Sequence, residues 1–174
     1  MKFGVLGALQ VIDDDAVPVD IGGSMPRAIL AALLVADGRT VSQDAIIDVL
    51  WGARAPRTAR STVQSYVSRL RRVLGDEAVV RWDGVGYRLE VTDEQVDARC
   101  FEHAAARGRR WLAAGNAAAA VEALTAAERL WRGEALAGFT EHDFAPGRRR
   151  AARGAPARRH RGPPAGRAVA RPIR

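Results

Sequence analysis

Two helix patterns in succession, two short strand patterns around a glycine turn, and two alanine-rich helix patterns predict an α+β winged helix-turn-helix followed by an α-helical, tetratricopeptide-like fragment. The first observation is an apolar stripe, Val63, Val67, Leu70 and Leu74, at the i, i+4, i+7, i+11 spacing of a helix that must face a core. The second is Asp83-Gly84-Val85-Gly86, which separates Ala78–Trp82 from Tyr87–Val91. It reads as a hairpin turn, its two glycines supplying positive φ. The third is a pair of facing small-residue stripes between Val96 and Trp131, split by Gly115-Asn116.

Taken in order, Met1 to Ile21 reads as a small antiparallel sheet. Phe3, Val5 and Leu6 open it, Leu9 to Ile12 continue it, and Asp13-Asp14-Asp15 is the turn. Val17, Val19 and Ile21 alternate with Pro18 and Asp20, the pattern of a strand buried on one face, and Pro18 argues for an edge. Gly22-Gly23 breaks the chain, and no Gly-Lys-Ser/Thr follows, so it is not a phosphate loop. Pro26 to Ala36 is a helix with almost no polar face, expected at the centre of the core, with Ser24 as N-cap and Gly38 as its stop. A second helix runs from its N-cap Ser42 to about Leu50, with Ala45, Ile46, Val49 and Leu50 as its stripe. Trp51 then anchors the next loop by packing under the helix pair.

The third helix, Thr58 to Leu74, carries the chemistry. No carboxylate falls between Asp48 and Asp76, whereas Arg54, Arg57, Arg60, Arg69, Arg71 and Arg72 all do. An acid-free arginine block on a helical pattern is an electrostatic footprint for phosphate. At 100° per residue, the face opposite the apolar stripe holds Arg57, Thr58, Ser61, Ser65, Ser68, Arg69 and Arg72, with Gln64 at its margin. Such a face suits a helix lying in a DNA major groove about 12 Å wide. Short hydroxyl side chains permit close approach, Gln64 can read a base edge, and the arginines, Arg60 and Arg71 included, can clamp phosphates or a guanine. Arg81 and Arg88 on the wing strands would approach a neighbouring minor groove or phosphates. A basic helix taken alone is as readily a solvated face; the hairpin that follows favours DNA.

The run LWG, then a loop, then TVQSYVSRLRRVLG and GVGYRL resembles the OmpR/PhoB type of winged helix. The start MKFGVLGALQV and the later VEALTAAERLWRGEALAGF resemble the Streptomyces antibiotic regulatory protein (SARP) family of activators. The resemblance runs over roughly residues 1 to 145 without large gaps. It implies an N-terminal sheet beside the helices, and a loop between the second and third helices that faces RNA polymerase, with Arg54 as a polar contact. It also implies that the alanine-rich pair opens a bacterial transcriptional activation domain. In that pair Phe101, Ala104, Ala105, Gly108, Trp111 and Leu112 form one stripe. Ala120, Leu124, Ala127 and Trp131 face it, with Val121 and Leu130 alongside. One helix pair cannot bury its own faces; about three or more repeats are normally needed.

Composition sets the remaining bounds. A chain of 174 residues with 48% hydrophobic content suits one medium domain or two small ones. The single cysteine, Cys100, excludes an intramolecular disulfide, and a cytoplasmic location fits. No leader opens the chain and no apolar run approaches a membrane span, so no membrane partner is expected. Cys100 and His103 sit i, i+3, but zinc needs three or four protein ligands. No metal, cofactor or catalytic constellation is expected, and the chain reads as a non-enzyme.

The net charge of +7 is not uniform. The 29 residues from Pro146 to Arg174 hold ten Arg, seven Ala, five Pro and four Gly and no acid, leaving 17 basic against 20 acidic residues in 1 to 145. DNA binding therefore rests on the local arginine block, not on the overall charge. All four residue types of that tail can be encoded by G and C alone, which suggests a change of reading frame near Ala145; the rival is a basic arm adding nonspecific DNA affinity. Low apolar content and five prolines predict disorder there.

The expected organisation is a winged helix DNA-binding domain over 1–91, a partial activation domain over 95–145 and a basic tail over 146–174. The expected partners are double-stranded DNA at promoter direct repeats, with two copies side by side, and RNA polymerase. By resemblance, the expected role is pathway-specific activation of secondary-metabolite (antibiotic) biosynthesis genes. The alternative is a truncated DNA-binding or interaction module without activating ability.

Overall fold

The computed structural model describes residues 1–75 and 79–139. Its centre is α1 (Ser24–Ala36), in which Ile29, Leu30 and Leu33 are fully buried, as a helix apolar on nearly every side must be. Around it pack α2 (Gln43–Trp51), α3 (Ala59–Val73) and two small sheets. The first sheet pairs β1 (Lys2–Gly4) with β2 (Gln10–Ile12) antiparallel, Phe3 opposite Val11, and both of these side chains enter the core. The second has the order β3-β5-β4, where β3 is Val41–Ser42, β4 is Val80–Trp82 and β5 is Gly86–Leu89. Ile46 of α2, Val63, Val67 and Leu70 of α3, and Val80 and Leu89 of the hairpin complete one core.

Several local expectations need correction. Residues 17–21 do not form a strand: a single bridge joins Pro18 to Ile12, and Val17 stays exposed. The Asp13 carboxylate accepts from the Asp15 and Val17 amides and closes a tight loop, and Pro18 has no N–H with which to extend the pairing. Ser24 is not the N-cap of α1. Gly23 holds that place without a side-chain cap, and the helix starts one residue earlier than the capping pattern suggests. At the other end the stop is shared, since Asp37 (φ 60°) and Gly38 (φ 75°) are both left-handed. Ser42 does cap α2, its hydroxyl accepting from the Ala45 amide at 3.1 Å.

In the hairpin turn only Gly84 has positive φ, 99°. Gly86 serves another need: a Cβ there would lie 2.1 Å from the Val41 carbonyl oxygen, because β3 runs directly against it. Asp83 holds the turn, its carboxylate accepting from the Val85 and Gly86 amides at 3.2 Å and from the Thr40 hydroxyl. The Thr40 hydrogen bond, with help from the two amides, keeps that carboxyl below the ordinary aspartate range.

Beyond a short 3-10 turn at Asp93–Gln95, α4 (Asp97–Ala113) and α5 (Ala117–Glu128) pack against each other. Their seam is narrow: Ala104, Ala105 and Gly108 meet Ala120, Ala123 and Ala127. A Cβ on Gly108 would come within 2.7 Å of the Leu124 side chain, so the glycine sets how closely the axes approach. Phe101 and Trp131 meet edge-on at 5.6 Å. Trp111 and Leu112 do not join this seam as the stripe suggested, and Leu124 does so only in part; they are 42%, 62% and 41% exposed. Among the described residues, the pair buries one narrow face, and smaller residues occupy it.

The pair is tied to the first sheet. Asp97 accepts from the amides of Val5 (2.8 Å) and Leu6 (3.1 Å), and Arg132 reaches back to Asp97 at 3.0 Å and to the Ala8 carbonyl at 3.1 Å. Val96 is buried in the main core, and Leu136 and Phe139 pack against it. The expected tail at 146–174, and the start of the first wing strand at Ala78, lie outside the described residues.

Candidate nucleic-acid interface

α3 turns Ala59, Val63, Val67 and Leu70 into the core, which leaves Arg60, Ser61, Gln64, Ser65, Ser68, Arg69 and Arg72 exposed on the other side. Arg57 and Thr58, just before the helix, are exposed too. The hydroxyls lie low: Ser61 donates to the Thr58 carbonyl at 2.9 Å, Thr62 to the same oxygen at 2.8 Å, and Ser65 to the Ser61 carbonyl at 3.1 Å. The ridge between the arginines is therefore short and smooth. No side chain caps the first turn of α3, which leaves its positive dipole end toward solvent.

The arginines are not equivalent. Arg60 pairs with Asp44 of α2 at 2.8 Å, but both side chains are more than half exposed, so the pair adds little stability. The same junction is fixed by Gln43, a buried side chain that donates to the Arg60 carbonyl at 3.1 Å. Arg69 lies over Gly22, whose Cβ, if present, would meet the guanidinium at 2.9 Å. Arg71 donates from Nε to the Val80 carbonyl at 2.8 Å, which ties the helix to the wing. Arg72 is exposed, and so is Arg54 in the 3-10 turn Gly52–Arg54. Trp51 packs partly buried against the core, as an anchor should.

Arg81 and Arg88 are opposite each other across the β4–β5 ladder, an arrangement of like charges that is unfavourable unless compensated. Glu90 compensates it. Its carboxylate takes Arg81 Nε at 2.9 Å and also pairs with Arg88. Successive strand residues point to opposite faces, so Trp82 and Tyr87 face away from these arginines and toward Gln64, Val67, Ser68 and Arg71 of α3. The wing's side nearest the recognition face thus presents an indole, with the arginine pair behind it. Neither Glu90 nor Trp82 figured in the reading of the sequence as part of the site. Glu90 had a signal, since it is two residues from Arg88 on a strand; Trp82 had only its aromatic character beside an arginine.

Elsewhere, the Cys100 thiol is within 3.5 Å of the carbonyls of Asp93 and Glu94, and burial pushes its pKa up. His103 Nε2 lies 3.3 Å from the Asp93 carboxylate. Among the described residues, no helix is long and apolar enough to cross a membrane.

Comparison with known proteins places these elements. Residues 23–89 match the family described as "Transcriptional regulatory protein, C terminal", and residues 96–161 match the "Bacterial transcriptional activator domain". The second match passes residue 145, where the sequence pattern placed a boundary, and runs into residues that are not described. The chain is 37% identical over 149 residues to the transcriptional regulatory protein EmbR of Mycobacterium tuberculosis, covering 83% of this chain and 38% of that protein. It is 36% identical over 139 residues to the regulatory protein AfsR of Streptomyces coelicolor, covering 79% of this chain and 14% of that protein. The solved structure of Mycobacterium tuberculosis EmbR in complex with a low-affinity phosphopeptide superposes with a TM-score of 0.78 at 38% identity, over 82% of this chain and 39% of that one. The chain thus spans less than half the length of each of these proteins.

Proposed function

Because this chain belongs to the SARP family of transcriptional regulators, with an OmpR/PhoB-type winged helix joined to a bacterial transcriptional activator domain, we propose that it binds promoter DNA in a sequence-specific way through α3. The observation that carries this reading is the uncovered face of α3, cationic and built of short hydroxyl residues, beside a wing. In this reading α3 lies in the major groove. Arg57, Arg69, Arg71 and Arg72 hold phosphates, Arg60 holds a phosphate or a guanine, and Thr58, Ser61, Ser65 and Ser68 allow close approach. Arg81 and Arg88 contribute less, since Glu90 already neutralises part of their charge. The finer role is activation of secondary-metabolite genes from direct repeats, two copies side by side, with Arg54 in the loop toward RNA polymerase. Footprinting on promoters neighbouring the gene tests sequence-specific binding, and a reporter driven by a footprinted promoter tests activation.

Two variants separate the kinds of contact. Replacing both Arg69 and Arg72 by Ala is expected to weaken binding to every duplex. Each lost phosphate contact should lower the slope of log K against log salt by about 0.9. A folded variant with an unchanged slope would remove this face from the phosphate contacts. Gln64→Ala is expected to leave that slope alone, because the amide is uncharged, and to relax preference at one base pair by about tenfold. Titrations on the footprinted site, its single-base variants and random duplex at one salt concentration check this. A uniform loss, or none, would pass the role of base reader to Ser61, Ser65 and Arg60.

A further inference from the structure

Between α3 and the wing lies a shallow recess of about 310 Å³ lined by Gln64, Val67, Ser68, Arg71, Trp82 and Tyr87. It opens beside the exposed face of α3, with Gln64 and Ser68 on its rim. Its cation is fixed in place. Arg71 spends Nε on the Val80 carbonyl, which holds the guanidinium plane, and among the described residues no acceptor takes the protons of either Nη. Among the described residues, none that lines the recess is acidic. Tyr87 adds no negative charge, since burial raises its phenol pKa further above neutrality. The same recess is lined by the indole of Trp82, 46% exposed and set edge-on against Tyr87 at 4.9 Å. A large aromatic held at that angle by a neighbour, yet left half open to water, is a surface made for contact.

We propose that this recess seats one segment of the DNA sugar–phosphate backbone, with a phosphate on Arg71 and Ser68 and the deoxyribose beside it against Trp82. The seat rests on the DNA-binding reading of α3 and extends it to the wing. Its chemistry suits this ligand: a fixed guanidinium and a hydroxyl for the anion, an apolar plane for the sugar. Arg81 and Arg88 cannot serve here, because strand alternation puts them on the other face with Glu90. Because the contact is with the backbone, it fixes the register of the wing without reading sequence.

The test uses the full chain, a random-sequence duplex, and the variants Trp82→Phe and Trp82→Ala. Tryptophan emission of the unaltered protein should be quenched as duplex is added. That quench should vanish in Trp82→Phe, whose smaller ring keeps the packing against Tyr87 but loses part of the contact, so that it binds about threefold more weakly than the parent. Trp82→Ala should bind about tenfold more weakly, since an apolar contact is lost. Its salt slope should be unchanged, because no charge is removed. Equal affinity of the alanine variant, or a quench that survives in Trp82→Phe, overturns the seat while the DNA-binding reading stands. A parent protein with no affinity for any duplex overturns both.

Discussion

Gly86→Ala is expected to be the most damaging single methyl group that can be added to the wing. The new Cβ would sit 2.1 Å from the Val41 carbonyl oxygen and 2.7 Å from Ser42 Cα, and both belong to backbone that cannot rotate aside. Relief requires β3 to part from β5, which breaks the Val41–Tyr87 and Ser42–Gly86 pairings. Ser42 is also the N-cap of α2, so the displacement reaches the helix that supports α3. Overpacking against an immobile neighbour, with loss of strand pairing, should cost about 3–4 kcal/mol. For a domain of this size that is a drop in Tm on the order of 10 °C. Gly84→Ala is the control. It meets nothing within 4 Å and bears only the cost of a φ of +99°, about 1 kcal/mol. Thermal melts followed by circular dichroism of both variants check the ranking. If the two melt alike, positive φ and not close approach is what the turn requires.

Asp97→Ala is expected to loosen the junction between the helix pair and the first sheet. The carboxylate is only 14% exposed and satisfies two backbone amides, Val5 on one oxygen and Leu6 on the other, as well as Arg132. Truncation leaves two partly buried N–H groups and a guanidinium without their acceptor, a loss of about 3 kcal/mol. Arg132 cannot compensate from elsewhere. It is held by the Leu6 and Ala8 carbonyls, and it fills the space left by Gly4 and Gly7, where a Cβ would meet it at 3.0 Å or less. Asp97→Asn keeps one acceptor oxygen and should lose about half as much. Amide hydrogen exchange reports this locally, because the Val5 and Leu6 amides should lose protection before the core of α1 does. Unchanged protection in Asp97→Ala would show that the sheet is held by its apolar residues alone.

Features that repeat locally along the chain can be read before any fold is known. Helix and strand periods fix which residues share a face, so the stripe of α3, the apolar character of α1 and the cationic ridge of Arg57 to Arg72 were legible without coordinates. The Ser42 cap was legible for the same reason, since a cap is made within three residues. The tertiary structure decided the matters that depend on distance through space. The arginine block is free of acid along the chain, yet packing of α2 on α3 brings Asp44 to Arg60 across 16 positions. Strand pairing brings Glu90 to Arg81 and turns the wing arginines away from α3, leaving Trp82 to face it. Gly86 looks in sequence like a second turn glycine; only the approach of β3 shows that it is there for space. The bond from Asp97 to Val5 spans 92 positions. No periodic pattern encodes such a contact, because what fixes it is the packing of whole elements.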